Sequence, residues 1–164
     1  MTAQKQQHNI EPVYNKSSRV LILGSFPSVK SRETEFFYGH PQNRFWRLLA
    51  ALLNESTPKS TQEKKQLLLK HHIAVWDVIK ECDIVGSSDT SITNALPNDI
   101  SLILESSDIR AIFCNGTKAY ELYNKYIFPT TGREALRLPS TSPANAACSL
   151  DKLCEKWKII TEYL

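Results

Sequence analysis

Short apolar runs that stop abruptly in polar residues constrain this chain most. Residues 19–24 (RVLILG) are too short and too apolar for anything but a buried strand, and they run straight into a Gly-Ser-Phe-Pro-Ser turn. The same pattern returns at 111–114, which ends in Asn115-Gly116, and at 135–138, which ends in Pro139-Ser140-Thr141-Ser142. Another short run, at 73–76, precedes Asp77. Between these runs lie stretches of helical period. Residues 43–53 carry Phe45, Trp46, Leu48, Leu49, Leu52 and Leu53 on one stripe. Further helices are expected at 61–71, 98–107 (capped by Asn98 or Asp99), 117–127 and 149–162. Strands alternating with helices predict a three-layer α/β/α sandwich around a central, mainly parallel four-stranded sheet. Ligands of such sheets bind outside the carboxyl ends of the strands. The polar tips at 24–25, 115–116 and 139–142 are therefore expected to lie side by side and form the site.

With 164 residues, the chain suits a single domain, 1–164. The polar residues 1–17 are expected to be a loosely ordered lead-in. A hydrophobic content of 41% and a charged content of 23% are those of an ordinary globular protein. The sequence has no apolar window long enough for a membrane span and no secretory signal core, so a cytoplasmic protein is expected. Cys82, Cys114, Cys148 and Cys154 show no CxxC spacing and no His placed to complete a metal site, so free thiols are expected. His71-His72 at a helix end reads as a C-terminal cap interaction. A net charge of +3 permits a polyanionic partner without demanding one.

Residues 21–46 hold the densest mixture of hydroxyls, rings and amides. That mixture suits a flat polar ring carried on a phosphate chain. Asn43 is the candidate for orienting a water through its side-chain carbonyl, and an Asn immediately before a helix is also a common N-cap. Tyr38 is placed to stack on a base, and Phe36 and Phe37 read as ordinary apolar packing. Asn115 reads either as a base-edge reader or as a turn residue. Ser25, Ser140 and Ser142 read either as phosphate grips or as turn formers, and for Ser28 turn formation is favoured. His40 suggests a structural tie and Arg44 a brace for the loop. Asp77 and Asp89 would supply a base only if the fold brought them to the site, and loop capping is the expected job for both.

Three segments carry a family likeness. Tyr38-Gly39-His40-Pro41-Gln42-Asn43-Arg44-Phe45-Trp46 resembles the equivalent segment of the mismatch-specific uracil glycosylases. Cys114-Asn115-Gly116-Thr117-Lys118 is similar to their Asn-Gly-Lys strand end, and Leu138-Pro139-Ser140-Thr141-Ser142-Pro143 to the second motif of the uracil-DNA glycosylase superfamily. The order and spacing also match. The GSFPS turn followed by HPQNRFW most resembles the hypoxanthine-DNA glycosylase branch.

This resemblance implies a monofunctional glycosylase that flips a deaminated base, hypoxanthine or uracil, out of DNA and hydrolyses its N-glycosidic bond. It implies Asn43 as the catalytic residue and Ser25, Phe26, Tyr38 and Asn115 as base contacts. Ser140, Thr141, Ser142 and Asn145 are implied as DNA contacts. No metal and no cofactor are expected, and the expected partner of a monomeric enzyme is DNA containing deaminated bases. Two positions depart from the superfamily. Phe26 stands where most members place an Asp, Asn or Glu, and the hypoxanthine branch shares that substitution. Ala144, Asn145 and Ala146 offer no large apolar wedge for the vacated stack. The alternative reading is a non-catalytic module that binds damaged or mismatched DNA.

Overall fold

The structure is a computed structural model that describes residues 2–8 and 10–164. In chain order its strands are β1 (Gln4–Gln7), β2 (Val20–Gly24), β3 (Ile73–Asp77), β4 (Ile79–Ile84), β5 (Thr93–Pro97), β6 (Ala111–Asn115) and β7 (Ala135–Leu138). Its helices are α1 (Val29–Thr34), α2 (Phe45–Leu53), α3 (Thr61–Lys70), α4 (Ser101–Ser106), α5 (Thr117–Tyr126), α6 (Phe128–Thr131) and α7 (Leu150–Trp157).

The expected central sheet is present, and it is parallel throughout, in the order β3-β2-β6-β7. Its middle is dry on both faces: Val20, Leu21, Ile22, Leu23, Ile73, Ala74, Val75 and Phe113 are fully buried. Burial on both sides is why these strands read as continuous apolar runs rather than alternating ones. Helices flank the sheet. The register sets Gly24 opposite Asp77 and Asn115 opposite Leu138, and it pairs Leu23 with Cys114. Four carboxyl-terminal tips therefore stand in one row.

A second sheet, antiparallel β1-β4-β5, was not expected. The chain changes sheets at the edge of the site. Val78 N–H donates to the Gly24 carbonyl (2.7 Å) and Ile79 N–H to the Ser25 carbonyl (3.0 Å), after which β4 departs. The Asn98 side chain donates to the Asp77 carbonyl (2.9 Å) rather than capping α4, which starts at Ser101.

For residues 2–8 and 10–17, the expected loose lead-in over 1–17 is corrected by this sheet, and residues 1 and 9 lie outside the described residues. β1 pairs with β4 through Gln4–Ile84 to Gln7–Glu81, and Val13 exchanges 3.0 Å backbone hydrogen bonds with Val75. Ile10 and Val13 are buried. His8 is also buried: Nδ1 accepts from Ile10 N–H (3.2 Å), so Nε2 carries the proton and donates to the Ile79 carbonyl (2.9 Å). A ladder of backbone bonds holds QKQQ, so no hydrophobic period advertises it.

The other departures are local. The loop expected after the first strand contains α1, with the Ser28 hydroxyl accepting from Ser31 N–H at its start. The last helix begins at Leu150, capped by Ser149, and tightens into a 3₁₀ turn over Lys158–Tyr163. All four cysteines are free.

Candidate active site

The row of strand tips forms the floor of a cavity of about 340 Å³. Ser25, Phe26, Tyr38, Asn43, Asn115, Ser140, Thr141 and Ser142 all line it, together with Asp77 and Asp89. The turns at 24–28 and 139–142 thus face each other across one space. Asn145 is the expected contact that the cavity leaves out; its amide donates to the Ser140 carbonyl (3.0 Å) and holds the 140–145 loop.

Two glycines let the floor close up. A Cβ on Gly24 would lie 2.5 Å from Asp77 Oδ1 and 3.1 Å from Tyr38 Oη. Gly116 has φ 99°, and a Cβ there would lie 3.1 Å from the Ser140 side chain.

On the β7 side a hydrogen-bond relay fixes three expected residues. Asn115 Nδ2 donates to Thr141 Oγ1 (3.0 Å), and Thr141 N–H donates back to Asn115 Oδ1 (3.0 Å). The Thr141 hydroxyl then donates to Asn43 Oδ1 (2.8 Å). Phe45 N–H donates to the same Asn43 oxygen (3.0 Å). Both lone pairs of that carbonyl are taken, so the expectation that it faces a water is corrected: the amide NH₂ is the free edge. Asn43 thus ties down the start of α2, whose cap residue is Arg44, and lines the cavity.

Arg44 braces this side. Its guanidinium donates to the carbonyls of Thr141, Ser142 (3.0 Å), Asn145 (3.1 Å) and Cys148. One planar fork therefore pins the whole loop that carries the hydroxyls. His40 Nδ1 accepts from Gln42 N–H (3.1 Å), a local tie as expected.

On the β2 side, Phe26 is buried between the His8 ring edge (5.4 Å between centroids) and the Arg32 guanidinium (5.3 Å). Tyr38 stacks on Phe45 with ring centroids 4.0 Å apart and a backbone φ of 52°, a region aromatic residues rarely enter. Tyr38 also lines the cavity. Ser25 Oγ donates to Asp89 Oδ1 (2.7 Å) and draws the 3₁₀ turn Asp89–Ser91 to the rim.

Asp77 is the residue that sequence reasoning undervalued. It caps no loop: it ends β3, is 3% exposed, and its Oδ2 has no hydrogen-bond partner. Burial first, and the Asp89 charge second, push its carboxyl up to about 8. Asp89 is itself raised by burial, against the Ser25 hydrogen bond and the Lys118 charge. Burial likewise raises the Tyr38 phenol, with Asp77 adding to it and the neighbouring Asn115 side chain opposing it. The apolar run IAVW continues by one residue into the strand, and that extension was the available signal. The His8 buttress had none.

Beside the cavity runs a larger open groove of about 980 Å³. It shares Ser140, Ser142, Ala144 and Asp89 with the cavity and carries Arg137, Lys152 and Lys156, with Glu155 among them. Its size does not make it the site of chemistry, because the expected base contacts converge in the smaller space.

Residues 11–164 match the sequence profile of the uracil DNA glycosylase superfamily. A hypoxanthine DNA glycosylase of Methanosarcina acetivorans is 37% identical over 150 residues, which cover 90% of this chain and 93% of that protein. A protein of the same name from Methanosarcina barkeri is 32% identical over 142 residues, 85% of this chain and 89% of that one. The solution NMR structure of a candidate uracil DNA glycosylase from Methanosarcina acetivorans superposes with a TM-score of 0.81 at 32% identity, covering 96% of this chain and 97% of the other. By the match over residues 11–164 and the identity to these relatives along most of its length, the chain belongs to the uracil DNA glycosylase superfamily.

Proposed function

We propose that the protein is a monofunctional DNA glycosylase that excises deaminated bases, hypoxanthine first and uracil second, from DNA. The observation that carries this reading is the convergence of Tyr38, Asn43, Asn115 and Thr141 on one cavity large enough for a single base. The flipped base stacks on Tyr38, worth about 1–3 kcal/mol. Asn115, held by Thr141, presents its amide to the base edge, and the Phe26 backbone N–H and Ser25 complete the contact. Asn43 holds the attacking water through its NH₂, which occupies one water lone pair and leaves the other for C1′. An amide is too weak a base to take the proton, so its role is positioning. The C1′–N bond breaks with its electrons on the base, the water oxygen joins C1′, and the proton that this water loses passes through solvent to the departing base anion, so that a neutral base leaves. None of the described residues lining the cavity is a lysine, so no amine is placed for a Schiff base and the strand is left uncut at an abasic site.

Ser140 and Ser142 grip phosphate, and Arg137, Lys152 and Lys156 guide the strand along the neighbouring groove. In this reading residues 1–164 act as one domain and as a monomer in the cytoplasm; no helix among the described residues is long and apolar enough to cross a membrane. The test is a panel of duplexes bearing hypoxanthine, uracil, xanthine or a thymine mismatch, each treated with alkali after incubation. Strand breaks at hypoxanthine that depend on alkali are expected; breaks without alkali, or none at any base, contradict the reading.

Two observations favour the alternative of a binding module: Phe26 replaces the usual polar residue, and the Asn43 carbonyl is already engaged. Tight binding to the same duplexes with no cleavage would select it.

A further inference from the structure

The two ends of the cavity differ. On the β7 side the polar groups satisfy one another through the Asn115–Thr141–Asn43 relay. On the β3 side they do not. Asp77 Oδ2 and Tyr38 Oη are both buried without a hydrogen-bond partner, and both residues line the cavity. Both also close on Gly24, where a Cβ would meet Asp77 Oδ1 and Tyr38 Oη together. Buried polar atoms are nearly always paired, so two unpaired ones side by side at a cavity wall mark a contact that a ligand completes.

The proposed function assigns neither atom a role, and this inference rests on that function. We infer that Asp77 and Tyr38 form a hydrogen-bonding subsite for the flipped base, in which the Asp77 carboxyl group carries a proton and donates it as a hydrogen bond to a ring or carbonyl acceptor of hypoxanthine. A protonated carboxyl donates once and accepts once, which suits a purine edge that alternates acceptors with an N–H. The hydrogen bond strengthens as electrons from the breaking C1′–N bond enter the ring, so it favours the transition state over the ground state. No proton leaves Asp77 in the step. Leaving-group stabilisation of this kind relieves the water-side residue of part of its task, which fits a site whose first turn carries Phe26 instead of a polar group.

The groups that face Asp77 set its proton. Asp89, from the 3₁₀ turn, opposes ionisation; Tyr38, from the loop before α2, closes with Asp77 on Gly24 and is itself acted on by Cys114, on β6; Lys118, on α5, acts on Asp89. Ionisation near pH 8 turns the donor into a buried anion facing the acceptors of the base.

The experiment is single-turnover excision from a deoxyinosine duplex between pH 6 and pH 9.5. The wild type, Asp77→Asn, Asp77→Ala and Tyr38→Phe are compared. The wild-type rate is expected to fall about tenfold per pH unit above about 8. Asp77→Asn keeps a donor and loses the titration, so its profile should be flat there. Asp77→Ala should be slower by roughly 10²-fold at pH 7, with Tyr38→Phe between them. An Asp77→Asn profile that still breaks near pH 8, or an Asp77→Ala rate equal to wild type, overturns the inference while leaving the glycosylase reading intact. Absence of wild-type cleavage overturns both. A second measurement needs no variant: free hypoxanthine added to carboxyl-labelled wild-type protein should shift the Asp77 carbon resonance, and no shift at saturation overturns the subsite.

Discussion

At the scale of single residues, the site depends on what is missing as much as on what is present. Gly24 is required by close approach: a methyl group there would lie 2.5 Å from Asp77 Oδ1 in the middle of the floor. Gly24→Ala is expected to cost about 1–3 kcal/mol in denaturant unfolding and to abolish excision, because Asp77 and Tyr38 must both retreat. Arg44→Ala releases four carbonyls of the 141–148 loop and is expected to cost about 2–3 kcal/mol in the same assay. Asp77 couples the site to stability. Its folded value of about 8 lies above the ordinary 3.8, so the folded state holds a proton that the unfolded chain releases. Wild-type stability should therefore fall as pH rises from about 4 to about 8, by up to about 1.4 kcal/mol per unit, and Asp77→Asn should not share that slope. Thermal unfolding of the two proteins at several pH values checks this. Asn43, Tyr38, Asn115 and Thr141 were legible because each sits in a motif at a strand end or a helix start. Asp77 was not, because a carboxylate after an apolar run looks like a loop cap, and only the register with Gly24 reveals it as part of the floor.

At the scale of elements, hydrophobic period decided what could be read. β2, β6 and β7 and helices α2, α3 and α5 fall within a residue or two of the expected bounds, since each buries an apolar run or stripe. The sheet β1-β4-β5 was missed for the same physical reason in reverse. β1 is QKQQ and mostly exposed, β5 is exposed or half-buried along its length, and β4 alternates only weakly. These strands are held by backbone pairing and cover the edge where β3 leaves the parallel sheet. The amino-terminal segment consequently supports the site through His8 and Phe26. His8→Ala removes the donor to the Ile79 carbonyl and the ring beside Phe26. A loss of about 1–3 kcal/mol is expected by chemical denaturation, together with slower excision, although residue 8 touches no expected contact of DNA except through Phe26.

At the scale of the whole molecule, the cavity and the cationic groove divide the work between reading a base and holding a strand. A net charge of +3 is too small to bind DNA by general attraction, so a few placed cations should dominate. Lys152→Ala should weaken binding to every duplex alike and reduce the slope of log affinity against log salt by about 1, measured by fluorescence anisotropy across a salt series. Base preference should not change. The parallel sheet was legible at this scale because strands alternate with helices along the chain, and the charged groove was not, because it brings Arg137 of β7 beside Lys152 and Lys156 of α7, elements whose juxtaposition only the fold reveals. The most direct measurement is single-turnover cleavage of a deoxyinosine duplex by Asn43→Ala, alongside its affinity for the same duplex. Cleavage slowed by about 10²-fold or more, with affinity within a few-fold of wild type, is the expected result. Cleavage at near the wild-type rate would contradict a site in which the amide at position 43 positions the water.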